Sequence, residues 1–175
     1  MAPSGYRRLF IALPVPEETS KQLTPYCVSF PHAHWIPTTN RHLTLTFLGH
    51  HTEEQTHRAI EVIDRIDAAA FEITLHSMQR FPDDRGRHIV ALPTDCMPLK
   101  QLHHQVASAL TTRGFALKQR DYRPHITLGK IHRGNWSTVA ISPAIVMVVK
   151  SVALFETVFV DGGVTYHSLA TQPLR

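Results

Sequence analysis

The sequence predicts an α+β fold: a bilobal, duplicated structure with mainly antiparallel sheets around a central cleft and helices on the outer faces. Strand-like and helix-like segments follow one another without a regular βαβ alternation, which favours antiparallel pairing. A four-residue pattern occurs twice, 83 positions apart, close to half the chain. The 175 residues are 43% hydrophobic and 18% charged, which is typical of a folded domain. We therefore predict a single domain over residues 1–175, with two pseudo-symmetric lobes sharing one cleft.

Three strands and two helices are expected in the first half of the chain. The strands are Tyr6–Leu13, Arg41–Leu48 and Phe71–Met78, with a short helix over 17–26 and a loop or short strand over Pro31–Pro37. The residues Thr52–Gln55 have the form of a capping box, which predicts the start of the second helix. Apolar residues continue at helical spacing and predict that this helix ends near Ala70.

The second half repeats the mixture of strands and a helix. We expect a turn at Pro82–Gly86, a strand over His88–Leu92 and a helix from Pro98 to a cap at Gly114. A strand over His125–Ile131 follows, then one bent or two separate strands within Ile145–Val160, and a last strand over Val164–Ala170. Between the last two segments, Asp161-Gly162-Gly163 is typical of a hairpin turn.

The repeated pattern is HLTL at residues 42–45 and HITL at residues 125–128. Residues two apart in a strand share a face, so each copy presents one imidazole beside one hydroxyl. Two imidazoles can act as a general acid and a general base near neutral pH. Two hydroxyls can donate hydrogen bonds to phosphoryl oxygens. This set suits in-line displacement at phosphorus without a metal; the alternative is a pair of solvent-facing histidines on half-buried strands.

The residues around both copies carry a family resemblance. The segments His42–Gly49 (HLTLTFLG) and Arg123–Gly129 (RPHITLG) resemble the paired signatures of the two-histidine (2H) phosphoesterase superfamily. Within it, the chain is most similar to bacterial RNA 2′,3′-cyclic phosphodiesterases, also described as 2′–5′ RNA ligases. The first strand Arg8–Leu13 and the approach His34–Asn40 resemble the same group. The resemblance implies a bilobal fold and metal-free hydrolysis of a 2′,3′-cyclic phosphate to a 2′-phosphomonoester.

Residue by residue, the resemblance assigns His42 and His125 as the catalytic pair, with Thr44 and Thr127 as phosphate binders. Lys130 stands where many family members carry Arg. Lysine keeps a positive charge there but cannot make a planar bidentate contact. Ideal strand alternation also predicts that Lys130 lies on the face opposite His125.

Three other side chains are candidate substrate contacts. Arg123 can attract phosphate, although a basic residue beside a strand is more often simply solvated. Trp35 and Tyr122 can stack on a base, as aromatic residues do in single-stranded RNA sites, but packing in the core or at its rim is the alternative for both.

Composition limits the partners. The formal net charge of +4 tolerates a phosphate-bearing ligand, and no apolar run is long enough to cross a bilayer. The pairs His32/His34 and His103/His104 lack a firm metal-ligand spacing. We therefore expect a cytoplasmic monomer without metal or other cofactor and without a membrane partner. Its expected partners are RNA ends or nucleotides carrying a 2′,3′-cyclic phosphate.

Two other functions remain open from the sequence. The first is a 2′–5′ RNA ligase that joins tRNA halves in the same site. The second is a non-catalytic module that only recognises RNA ends.

Overall fold

The computed structural model describes residues 5–81, 88–132 and 138–175. The strands are β1 (Arg7–Pro14), β2 (Ala33–Trp35), β3 (His42–His51), β4 (Phe71–Arg80), β5 (His88–Pro93), β6 (Ile126–Ile131), β7 (Val139–Val149), β8 (Ser151–Val160) and β9 (Gly163–Pro173). The α-helices are α1 (Glu17–Leu23), α2 (Glu53–Asp64) and α3 (Met97–Thr112). Over these residues, no helix is long and apolar enough to cross a membrane.

One nine-stranded sheet has the order β7-β4-β5-β6-β3-β1-β8-β9, with β2 added beside β6. All of its strand pairs in the described ranges are antiparallel. The centre of the sheet is the contact between β3 and β6, where Leu43 pairs with Ile126. On each side of this contact, a strand and a helix precede the motif-bearing strand, β1 and α1 before β3, and β5 and α3 before β6, with the short strand β2 added in the first half. The predicted α+β class and the mainly antiparallel pairing are confirmed.

The hydrophobic core lies on one face of the central strands. Leu43 and Leu45 of β3, and Ile126 and Leu128 of β6, are almost fully buried there. Helices α2 and α3 pack into the same core through the residues Ala59, Val62, Ile63, Leu99, Leu102, Val106 and Leu110. Because side chains alternate along a strand, this packing leaves the opposite face of β3 and β6 for the polar residues of the two motifs.

The start of α2 is as predicted, but its end is not. The Thr52 hydroxyl accepts from the amide of Gln55 at 3.3 Å, and the Gln55 side chain accepts from the amide of Thr52 at 2.9 Å. The prediction that this helix extends to near Ala70 was wrong, because α2 ends at Asp64. Instead, the amide of Ala70 donates to the carbonyl of Arg175 at 2.8 Å, and the amide of Arg175 donates to the carbonyl of Ala68 at 3.0 Å.

The segment Ile145–Val160 contributes to two strands, which resolves the alternatives left open by the sequence. Only Lys150 separates β7 from β8, although the two strands lie in opposite halves of the sheet. The sheet must therefore curl until these strands approach each other, since one residue spans only a few ångströms. The predicted hairpin is present: Val160 pairs with Gly163, and Gly162 has a φ of 83°. The predicted turn at 82–86 lies outside the described residues.

Gly129 lies where β2 packs closely on β6. A β-carbon at this position would lie 2.8 Å from the carbonyl oxygen of His34 and 2.9 Å from the ring of Trp35. We expect Gly129→Ala to lower the free energy of unfolding by about 1–3 kcal/mol, because a backbone carbonyl cannot move aside without disturbing the β2–β6 pairing. Urea denaturation measures this loss.

Gly163→Ala is the matched control for that change. A β-carbon at Gly163 would have no other atom within 4 Å, so we expect a change within about 0.5 kcal/mol. An equal effect of the two substitutions would show that the close approach at Gly129 does not matter to stability.

Candidate active site

The pairing of Leu43 with Ile126 brings the two repeated motifs side by side. Extending this antiparallel register by one residue in each direction gives two further cross-strand pairs: His42 with Thr127, and Thr44 with His125. Opposed residues of this kind have β-carbons roughly 5 Å apart and share one face of the sheet. The structure thus brings the two predicted histidines and the two predicted threonines into one cluster.

Both histidine rings are held in the same way. The Nδ1 atom of His42 lies 2.8 Å from the carbonyl oxygen of Asn40. The Nδ1 atom of His125 lies 2.8 Å from the carbonyl oxygen of Arg123. A carbonyl oxygen only accepts, so the proton of each neutral ring sits on Nδ1. Nε2 is then the atom that can take up a proton, or give one up when the ring is charged.

Burial lowers the pKa of both histidines. For His42, the hydrogen bond to Asn40 opposes this effect, and the positive charge that His125 can carry adds to it. For His125, the hydrogen bond to Arg123 opposes the effect, while positive charge on His88, Arg120 and Arg123 adds to it. Both rings therefore favour the neutral form more than an ordinary histidine does.

The two histidines have different neighbours. His42 lies among aromatic rings, with centroids 4.8 Å away at Phe10 and 5.1 Å away at Tyr166, the latter in an edge-on contact. A cavity of about 450 Å³ opens beside His42 and is lined in part by Phe155 and Tyr166. His125 has one described ring neighbour, Phe81, at 4.2 Å. The ring of His42 is thus packed among aromatic side chains, whereas positive charge on His88, Arg120 and Arg123 acts on His125.

Lys130 does not follow ideal alternation, because β6 contains a bulge. Ile89 of β5 is opposite Gly129 and the next residue, Val90, is opposite Thr127, so Leu128 is an extra residue. Leu128 and Gly129 are both buried, and Lys130 is exposed. The bulge therefore returns Lys130 to the face that carries His125 and Thr127. The expectation from ideal alternation was wrong on this point.

A similar irregularity occurs in β3. Ile11 of β1 is opposite Thr46 and the next residue is opposite Thr44, so β3 also has an extra residue. Phe47 then lies opposite Phe10, 6.1 Å from it between ring centroids, and is 53% exposed. Phe47 follows the first histidine by five positions, as Lys130 follows the second. Equivalent places in the two halves are thus occupied by an aromatic ring and a cation.

The three weaker candidates occupy different places. Trp35 packs beneath Gly129 and meets Phe30 edge-on at 6.0 Å, on the core side of the sheet. Tyr122 lies behind the site: its hydroxyl donates to the carbonyl of Thr44 at 3.3 Å, and burial raises its pKa well above the usual value. The backbone carbonyl of Arg123 holds His125, and its guanidinium lies 5.7 Å from the centre of the Phe81 ring.

Several residues of the site were not found from the sequence. Phe10, Phe155 and Tyr166 surround His42, and His88 lies close enough to affect the charge of His125. The aromatic residues lie in strands that reach His42 only through the sheet order, so the sequence contains no local signal for them. In the described ranges, no cluster of three or more His, Cys, Asp or Glu side chains is arranged to hold a metal ion.

Comparison with known proteins gives consistent matches. The family described as the 2′-5′ RNA ligase superfamily matches residues 16–155. A protein of Archaeoglobus fulgidus named RNA 2′,3′-cyclic phosphodiesterase is 26% identical over 132 residues, which cover 73% of this chain and 74% of that protein. A Bacillus subtilis protein of the same name is 28% identical, with 69% of each chain covered. The crystal structure of E. coli LigT complexed with 3′-AMP has a TM-score of 0.86 at 25% identity and covers 97% of this chain and 98% of its own.

Proposed function

Because the chain belongs to the 2′-5′ RNA ligase superfamily, we propose that it hydrolyses the 2′,3′-cyclic phosphate of an RNA end or nucleotide to a 2′-phosphomonoester without a metal. The observation that carries the proposal is the pair of histidines at the centre of the sheet. Each has its Nδ1 bound to a backbone carbonyl, and the two strands pair at Leu43 and Ile126, the residues that directly follow the two histidines. This arrangement provides two proton-transfer groups and two hydroxyl donors for one phosphate group.

In the proposed reaction, neutral His125 takes a proton from water through Nε2 while the water oxygen attacks phosphorus. The bond from phosphorus to the ribose 3′ oxygen breaks, and protonated His42 donates its Nε2 proton to that oxygen. The phosphate stays on the 2′ oxygen. The hydroxyls of Thr44 and Thr127 donate to the non-bridging oxygens, where negative charge increases in the transition state.

The surroundings of the two rings support these roles. Positive charge on His88, Arg120 and Arg123 favours neutral His125, as a general base requires. His42 lies among aromatic rings beside the open cavity, and a bound phosphate supplies the negative charge that favours its protonated form. Both histidines belong to one chain, so the site needs no second copy, and we propose that the protein acts as a monomer.

The proposed activity is tested by incubating the protein with a 2′,3′-cyclic nucleotide in the presence of EDTA and separating the products chromatographically. We expect only the 2′-phosphate. A 3′-phosphate would contradict the proposed bond cleavage. No product from either the nucleotide or an RNA with a cyclic phosphate end would contradict enzymatic function and favour an RNA-end binding module.

The family match also favours a second activity in the same site. A 5′-hydroxyl of a second RNA can replace the attacking water and form a 2′–5′ linkage. Supplying a cyclic phosphate end together with a 5′-hydroxyl end tests this ligase activity. A joined product resistant to a nuclease specific for 3′–5′ linkages is the expected result.

We expect kcat/KM for a cyclic nucleotide to have a bell-shaped pH profile whose two apparent pKa values both lie below 6.5, the ordinary value for histidine. The reaction needs one neutral and one protonated ring, and burial lowers the pKa of both. Above the higher pKa the pair loses its acidic proton, so the rate falls as pH rises. Initial rates from pH 4.5 to pH 8.5 at constant ionic strength measure the profile.

The variant His88→Gln tests whether His125 gives the acidic limb of this pH profile. His88→Gln removes a positive neighbour that lowers the pKa of His125, so the acidic limb is expected to move to higher pH. An unchanged acidic limb, or an alkaline limb above pH 7 in the unaltered protein, would contradict the assignment.

A further inference from the structure

Two hydrogen bonds of Asn40 connect the ring of His42 to β9. The carbonyl oxygen of Asn40 lies 2.8 Å from Nδ1 of His42. The side-chain amide nitrogen Nδ2 of Asn40 donates to the carbonyl oxygen of Val164, the second residue of β9, at 2.9 Å. The ring of Tyr166, two residues further along β9, contacts the ring of His42 edge-on at 5.1 Å. Asn40 therefore links His42 to a strand that lies more than a hundred positions away in the sequence.

The side chain of Asn40 is enclosed where it makes this bond. Asn40 is only 8% exposed. A carbonyl oxygen only accepts, so the nitrogen of the side-chain amide must face Val164. Leaving a buried amide without a partner is costly, and the bond to Val164 satisfies its nitrogen. The bond therefore fixes the position of Asn40 relative to β9.

The local backbone gives the carbonyl of Asn40 little support. Asn40 is the last residue of a single 3₁₀ turn, Thr38–Asn40, and hydrogen-bond geometry in such turns is poorer than in an α-helix. The turn is closed by a bond from the amide of Asn40 to the carbonyl of Pro37 at 2.9 Å, which lies within the same short segment. The side-chain bond to Val164, by contrast, ties this segment to the sheet.

The other motif histidine is held by the carbonyl of a different kind of residue. Nδ1 of His125 lies 2.8 Å from the carbonyl oxygen of Arg123. Arg123 is exposed, and its guanidinium lies 5.7 Å from the centre of the Phe81 ring. Asn40 also stands two positions before its histidine, but it is buried and bonded to a distant strand. The two halves share the carbonyl contact and differ in the side chain that fixes it.

We infer, on the basis of the function proposed above, that Asn40 is a positioning residue for proton transfer by His42. Its side-chain amide fixes the carbonyl that holds the Nδ1 proton, so that Nε2 stays directed at the substrate. The hydrogen bond at one ring nitrogen of a histidine determines which nitrogen carries the proton. Without the bond to Val164 the ring can turn, and a displacement of about 1 Å is enough to lower a rate by about 10²-fold.

The variant Asn40→Ala tests this inference with a spectroscopic measurement that needs no turnover. The ¹⁵N chemical shifts of His42, assigned by their loss in His42→Asn, show which ring nitrogen carries the proton at about pH 8, where the ring is neutral. We expect the proton on Nδ1 in the unaltered protein and a mixture of both tautomers in Asn40→Ala. With a cyclic nucleotide, kcat is expected to fall by roughly 10–10²-fold. KM should stay within about threefold, because the loss affects proton transfer and not binding.

Gln172→Ala is the matched control. The side-chain amide of Gln172, also on β9, donates to the backbone carbonyl of Ile66 at 3.1 Å. Its removal deletes the same kind of bond from the same strand and should leave the ¹⁵N shifts of His42 and kcat unchanged. Asn40→Leu keeps a side chain of similar size that cannot donate, so it should reproduce the effects of Asn40→Ala. It also provides the measurement if the alanine variant does not fold.

Unchanged ¹⁵N shifts of His42 in the Asn40 variants would overturn the inference, as would an unchanged kcat. Equal changes in Gln172→Ala would also overturn it, because they would show a general effect of weakening β9. If the unaltered protein does not hydrolyse a cyclic nucleotide while Asn40→Ala still redistributes the proton of His42, the proposed function fails and the support of His42 by Asn40 stands.

Discussion

Replacing either His42 or His125 by alanine is expected to lower kcat for a 2′,3′-cyclic nucleotide by at least roughly 10²–10⁴-fold, the usual effect of removing a general acid or base. Each substitution removes the only proposed group that transfers a proton on its side of the phosphate. Both losses should be similar in size, because the two proton transfers belong to one displacement. Steady-state kinetics with the purified variants measures them.

Asparagine variants separate proton transfer from structural support. In His42→Asn and His125→Asn, the side-chain amide can still donate to the backbone carbonyl that holds Nδ1, but it cannot act as an acid or base. We expect the asparagine variants to be about as inactive as the alanine variants, with near-ultraviolet circular dichroism unchanged. His57→Ala serves as the control at an exposed position. Turnover near that of the unaltered protein in either asparagine variant would refute the mechanism.

Removing one threonine hydroxyl of the cluster is expected to lower kcat by about 10²-fold or more, as for other donors to a developing oxyanion. The changes are Thr44→Val and Thr127→Val, which keep the branched shape that suits a strand. Within the residues that the structure describes, neither hydroxyl has a hydrogen-bond partner, so both can donate to a substrate. Kinetics with a cyclic nucleotide measures the loss.

Serine at the same positions is the matched control. Thr44→Ser and Thr127→Ser keep the donor, and their kcat should stay within a few-fold of the unaltered value. If the valine and serine variants lost activity equally, the methyl group and its packing would matter instead of the hydroxyl. Valine variants with unchanged kinetics would remove the threonines from the proposed site.

The central part of the site could be predicted because it depends on local sequence. A period of two places His42 and Thr44 on one face and Leu43 on the other, whatever the rest of the sheet does. The core placement of Leu43 and Ile126 confirms this alternation. The start of α2 was predictable for the same reason, since the capping box at Thr52 satisfies the first helical amides with residues only three positions away.

The rest depends on contacts between distant residues. The face of Lys130 is set by a bulge that appears only when β6 pairs with β5. The segment that follows α2 bonds to Arg175, more than a hundred residues away. The aromatic surroundings of His42 arise because β1 pairs with β8, and β8 in turn with β9. None of these pairings has a signal in the segment that it affects.

The positions five residues after each motif histidine carry unlike side chains in the two halves of the sheet. Two identical subunits related by a twofold axis would present the same side chain beside each histidine. In this single chain the two places are Phe47 and Lys130, so the surface differs when it is turned by half a rotation. A ligand that lies across both halves therefore meets different side chains in its two orientations, whereas a symmetric pair of subunits would offer two equivalent orientations.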